Sequence, residues 1–142
     1  MRIIVPVDGS APAVRAVGQA LTLARNPPGG ELILVNVQNQ ETLEVSDVSA
    51  VISAEADRQA AARQSQDALR DAVGLCRKAN VKFATRAELG PVAETVARLA
   101  RELRADQIVM GTRGLGALRG LVLGSVATNV IRLADIPVTL IK

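Results

Sequence analysis

Apolar and polar positions along the chain switch between two periods. Residues 2–7 form a short apolar run rich in β-branched side chains, the pattern of a strand buried on both faces. Ser10-Ala11-Pro12 then sets an N-cap residue before a first-turn proline. Val14, Val17, Leu21 and Ala24 recur at helical spacing until Asn26-Pro27-Pro28-Gly29-Gly30 stops the helix. Residues 31–37 predict a second strand, and the polar, weakly patterned stretch 38–49 predicts a loop. A long helix follows as far as Ala79, with Leu69, Ala72, Val73 and Cys76 on one face. Residues 81–87 predict strand three, and Gly90-Pro91 opens a helix that turns Val92, Val96, Leu99 and Leu103 inward. Residues 107–110 predict strand four, and residues 111–124 a glycine-punctuated loop. Ser125 is placed to cap a last helix ending near Ala134, ahead of strand five at residues 136–141.

Strand and helix alternate throughout, with no internal repeat, low-complexity tract or linker. That order predicts an α/β fold, a single doubly wound domain over residues 1–142 whose parallel sheet is covered by helices on both faces. With 142 residues the chain has the length of one domain. A domain of this size buries roughly 70% of its unfolded surface, enough for a core without staples.

Composition changes the picture mainly through what is missing. The sequence has no His, Trp or Tyr; Phe83 is its one aromatic residue and Cys76 its one cysteine. Without His there is no Ser–His–Asp triad, Cys–His dyad or His-ligated zinc. A single Cys excludes a Cys-rich metal knuckle and an intramolecular disulfide, and it fits a reducing compartment. The uncharged stretches are about a dozen residues at most, short of the roughly 18–20 that a spanning helix needs. Asp8 interrupts the opening apolar run, so no signal-peptide core is expected there. The expectation is a cytoplasmic protein with no membrane association. Seventeen Lys and Arg against fourteen Asp and Glu give a net charge of +3, spread along the chain. With almost no aromatic platforms for stacked bases, no nucleic-acid partner is expected.

In a doubly wound sheet, ligands bind beyond the carboxyl ends of the strands where the winding reverses. Two segments are candidates for that place, and both line one crevice if strands one and four are neighbours: Pro6-Val7-Asp8-Gly9-Ser10 after strand one, and Met110-Gly111-Thr112-Arg113-Gly114 after strand four, closing at Gly124-Ser125. Gly111, Gly114, Gly116, Gly120 and Gly124 fall within fourteen residues. Such a loop lets successive N–H groups converge on an anion and feeds a helix whose first turn favours phosphate. Ser125 offers a hydroxyl, and Arg113 and Arg119 offer cations. The same glycines are also ordinary turn punctuation. There is no G-K-[ST], and a dinucleotide fingerprint built on Gly114-x-Gly116 meets Arg119 where its third glycine belongs, so neither a P-loop nor an NAD site is expected. Asp8 ends a buried strand, where a carboxylate accepts hydrogen bonds from ribose hydroxyls, helps hold a metal on phosphates, or closes an Asx-turn. Val37 either packs on a base or belongs to the core, and Cys76 reads as a small buried hydrophobe. Arg98, Arg101 and Arg104, with Glu94 and Glu102 at helical spacing, read as a solvated face. Residues 136–141 carry no charge, and an open edge of that kind is an aggregation liability unless a second copy pairs with it about a two-fold axis.

Gly111-x2-Gly114-x9-Gly124-Ser125 resembles the ATP-binding pattern G-x2-G-x9-G-[S/T] of the universal stress protein family. Val5-Pro6-Val7-Asp8-Gly9-Ser10 is similar to the family's opening motif, Leu123-Gly124-Ser125-Val126-Ala127 to its closing one, and Ile136-Pro137-Val138 to its final strand. The resemblance spans the whole chain. It implies a five-stranded parallel sheet of order 3-2-1-4-5, a homodimer formed through the last strand, and ATP held between the two segments, with Mg²⁺ or Mn²⁺ on its phosphates. By position, Pro6, Val7 and Asp8 would meet adenine and ribose, with Val37 on the base, and Met110 and Gly111 would flank the nucleoside. Gly114, Gly124, Ser125 and Val126 would hold the phosphates; Ser10 and Arg113 complete the expected site. Asn36 stands where many members carry His. The leading expectation is an ATP-binding stress-response regulator. A slow nucleotide hydrolase or autophosphorylating enzyme and a nucleotide-free interaction module are the alternatives.

Overall fold

The computed structural model describes residues 1–26, 28–39, 48–115, 120 and 122–142, with the backbone alone at 48–50. Of the loop expected over residues 38–49, Gln38 belongs to the second strand and residues 48–49 to the second helix, while residues 40–47, together with Pro27, Gly116 and Arg119, lie outside the described residues. In chain order the elements are β1 (Arg2–Pro6), α1 (Ala11–Arg25), β2 (Glu31–Gln38), α2 (Val48–Ala79), β3 (Lys82–Leu89), α3 (Val92–Glu102), β4 (Gln107–Gly111), α4 (Ser125–Leu133) and β5 (Val138–Ile141). The five strands form one parallel sheet of order β3-β2-β1-β4-β5.

Alternation along the strands sorts the core into two layers. Ile3, Val5, Leu32 and Leu34 face α1 and α2, where Val17, Leu21, Leu69, Ala72 and Cys76 are buried. Ile4, Ile33, Val35 and Ile108 face α3 and α4 and meet Val96, Leu99 and Val130. Burial pushes the Cys76 thiol up to about 11, as expected for a sulfur held as a core hydrophobe.

Several boundaries and faces differ from the sequence reading. The buried stripe of α1 is Ala13, Ala16, Val17, Ala20, Leu21 and Ala24, with Val14 only half-buried. Alanines let this helix approach the sheet closely: a Cβ on Gly111 would stand 2.8 Å from the Cβ of Pro12. Ser125 is not the cap of the last helix; Gly124 is the N-cap, with no side-chain cap bond, and Ser125 is the first helical residue. On α3, Arg98 pairs with Glu102 and with Glu88 on β3, while Arg101 pairs with Asp135. The N-terminal half of α2 is exposed on nearly every side, and its described side chains turn inward from Ser65 onwards.

Candidate functional site

After β1 the chain crosses to β2 and β3 on one side of the sheet, whereas β4 and β5 lie on the other. The carboxyl ends of β1 and β4 therefore part and leave a crevice at the switch point. A cleft of about 480 Å³ fills it, within the size of a small-molecule site. Pro6, Val7 and Asp8 from the end of β1 line it together with Met110, Gly111, Arg113 and Gly114 from the end of β4. Val37 from β2 and Gly124, Ser125 and Val126 at the start of α4 complete the lining assigned from the sequence. Ser10, expected among them, is absent from this lining: it is buried, and its hydroxyl caps α1 by accepting from the Ala13 N–H at 3.3 Å.

The local chemistry explains how each wall is held. Gly9 turns the chain from β1 into α1 at φ +85°, a region that disfavours a side chain. Asp8 closes the Asx-turn there, Oδ1 accepting the Ser10 N–H at 2.9 Å, and its Oδ2 accepts the Leu115 N–H at 2.9 Å. A Cβ on Gly114 would collide with that same Oδ2, so glycine lets the loop settle on the carboxylate. The loop returns through the Gly124 N–H, which donates to the Thr112 carbonyl at 2.7 Å. With no side-chain cap on Gly124, the first-turn amides of α4 are left to the cleft side, where Ser125, Val126 and Ala127 form its lining. Arg113 is exposed and supplies positive charge at the rim.

Among the residues at the site that the sequence reading did not assign a role, three are buried and polar. Asn36 and Thr112 line the cleft, 2% and 5% exposed, and Ser65 on α2 is hydrogen-bonded to Asn36. Asn36 was legible as a polar residue inside the apolar run Leu32-Ile33-Leu34-Val35 and Val37; Thr112 was hidden in the x2 gap of the glycine pattern. Among the described residues the Thr112 hydroxyl has no hydrogen-bond partner. No group of three or more metal-ligating side chains occurs among them either. No helix of the described residues is long and apolar enough to cross a membrane.

Comparison with known proteins places these features in a family. The universal stress protein family model matches residues 1–142. A universal stress protein of Methanocaldococcus jannaschii is 29% identical over 147 residues, taking in 99% of this chain and 81% of that protein. Among solved structures, a universal stress protein in complex with cAMP is 27% identical with a TM-score of 0.71, covering all of this chain and 97% of that one. The Archaeoglobus fulgidus universal stress protein in complex with dAMP is 26% identical with a TM-score of 0.67, covering all of this chain and 98% of that one. The chain belongs to the universal stress protein family.

Proposed function

We propose that the chain is a regulatory protein that binds ATP in the cleft between residues 6–10 and 110–126. The observation that carries this reading is one cleft with two complementary ends. At one end, Val37 lies beyond the last β1 partner in the sheet register, Pro6↔Val35, so its main chain is available to a base edge. At the other, the uncapped first turn of α4 and the glycine loop suit phosphate. The Thr112 hydroxyl, buried and without a partner among the described residues, fits a polar ligand lying along that wall. The cAMP and dAMP complexes of family members support an adenine nucleotide as the ligand class. Mg²⁺ or Mn²⁺ would ride on the phosphates, with Asp8 the nearest protein carboxylate.

Asp8 is the only acidic side chain lining the cleft among the described residues, and both its oxygens already accept main-chain N–H groups. That favours a nucleotide-held regulator over the alternative of a nucleotide hydrolase, whose attacking water needs a base. Turnover below about 1 s⁻¹, the lower end of common enzyme rates, is expected. In this reading the protein acts in a stress response, in a cytoplasm that keeps Cys76 reduced, as a homodimer paired through β5. Native mass spectrometry of the purified chain, followed by calorimetric titration with ATP, AMP and cAMP with and without Mg²⁺, tests it. One adenine nucleotide per chain is the expected result; a folded protein that refuses all three overturns the reading.

A further inference from the structure

We propose that Asn36 is a positioning residue that opens the base-recognition edge of the cleft. Its side-chain amide caps the Val7 carbonyl, ends the β1–β2 ladder one rung early, and leaves the Val37 N–H and C=O facing the cleft. The inference rests on the adenine-nucleotide reading above and adds to it the residue that creates the edge.

The ladder itself gives the argument. The Glu31 N–H donates to the Met1 carbonyl at 2.9 Å and the Val7 N–H to the Val35 carbonyl at 2.7 Å, so the odd-numbered residues of β2 turn their main-chain groups towards β1. Even-numbered residues turn theirs towards β3, as the Gly90 N–H to Gln38 carbonyl bond of 2.9 Å shows. A regular parallel ladder would continue from the Val37 N–H to the Val7 carbonyl. Among the described residues that rung is missing, and the Asn36 Nδ2 donates to the Val7 carbonyl instead, at 2.7 Å.

The orientation of Asn36 follows from its partners. A main-chain carbonyl only accepts, so the amide nitrogen faces Val7 and Oδ1 faces away. Oδ1 accepts from the Ser65 hydroxyl at 2.7 Å and from the Gln38 Nε2 at 2.8 Å. Asn36 and Ser65 are 2% and 3% exposed, so α2 holds the amide from inside the protein. Among the described residues, what remains open at Val37 is a donor beside an acceptor. That pair matches the ring nitrogen and exocyclic amine of a 6-aminopurine and mismatches a 6-oxopurine, whose donor and acceptor are reversed.

Amide hydrogen exchange by NMR tests the arrangement without nucleotide. In the wild type the Val37 amide should exchange at least about tenfold faster than the Val35 amide. In Asn36→Asp, which keeps the shape but cannot donate to Val7, and in Asn36→Ala, Val37 should close onto the Val7 carbonyl and become protected by a similar factor. The same variants should lose the preference for AMP over IMP by about tenfold or more while pyrophosphate binding stays unchanged, a split that general loosening would not produce. A Val37 amide already protected in the wild type, or unchanged base preference in a folded Asn36→Asp, overturns the proposal. The wild-type exchange rates decide the point even where a variant fails to fold. Fast Val37 exchange in a chain that binds no adenine nucleotide supports the role of Asn36 in the ladder and overturns the nucleotide reading alone.

Discussion

The Asp8 carboxylate joins the two halves of the crevice: its Oδ1 accepts the Ser10 N–H and its Oδ2 accepts the Leu115 N–H, both at 2.9 Å, across 107 positions in sequence for the second bond. One side chain thereby fixes the turn into α1 and seats the glycine loop. The same Oδ2 occupies the place where a Gly114 Cβ would go, so the glycine and the acid are two parts of one contact.

Gly114→Ala should therefore break the Asp8–Leu115 bond and lower nucleotide affinity about tenfold or more, for a loss of roughly 1–2 kcal/mol. Gly124→Ala is the comparison, since its Cβ would meet Arg113 Cα and Thr112 O at 3.5 Å, an ordinary contact. Thermal stability should fall only by the small loss of a glycine N-cap in Gly124→Ala and by more in Gly114→Ala. Calorimetric titration and a melting curve on each variant check both statements.

Gly111→Ala should act on the fold. Its Cβ would press on the Pro12 Cβ at 2.8 Å and on main-chain atoms of Pro12 and Ala13 at 3.1 and 3.2 Å, none of which is a flexible side-chain end. Separating α1 from β4 is expected to cost about 1–3 kcal/mol, the usual range for overpacking. A urea unfolding curve with an unchanged midpoint would show that α1 gives way freely.

The edge of β5 allows a selective test of the proposed dimer. The Ile108 N–H donates to Pro137 and the Thr112 N–H to Ile141, so the odd-numbered residues of this strand face β4. The main-chain N–H groups of Val138 and Leu140 then point away from the sheet, where a second copy would pair. Leu140→Pro removes an outward donor without removing a rung to β4, the setting in which an edge strand tolerates proline. Sedimentation should report twice the 14.9 kDa chain mass for the wild type and a folded monomer for the variant.

Two groups set opposite pH limits. The carboxyl of Glu31 is held below its ordinary value of 4.5 by hydrogen bonds from Arg2 and Lys82. Its contribution is present above pH 4.5 and is lost as pH falls through the lowered folded value. Glu31→Gln should flatten that acid limb, by about 1 kcal/mol or less for a pair this near solvent. Burial raises the Cys76 thiol from 9.0 to about 11, so its contribution is whole below pH 9 and fades as pH rises towards 11. Cys76→Ala should show a smaller loss of stability across that interval in chemical denaturation.

The sequence by itself determined the order of elements, the two-faced sheet and the segments that meet at the crevice. Local rules suffice there: an uninterrupted apolar run makes a buried strand, Ser10 ahead of Pro12 starts a helix, and glycine spacing marks a loop that returns to a helix. Tertiary structure decided what each polar group does. Ser10 spends its hydroxyl on its own helix, Gly124 displaces Ser125 from the cap, and Asp8 serves both as an Asx-turn and as the seat of a loop brought to it by β4. Asn36 was visible as a polar interruption of an apolar strand, at a position where many family members carry His, with no sign of its partners. Its partners lie just past the end of β1, two residues along its own strand and 29 residues away on α2, and such pairings leave no period in a sequence because packing alone brings them within hydrogen-bond range.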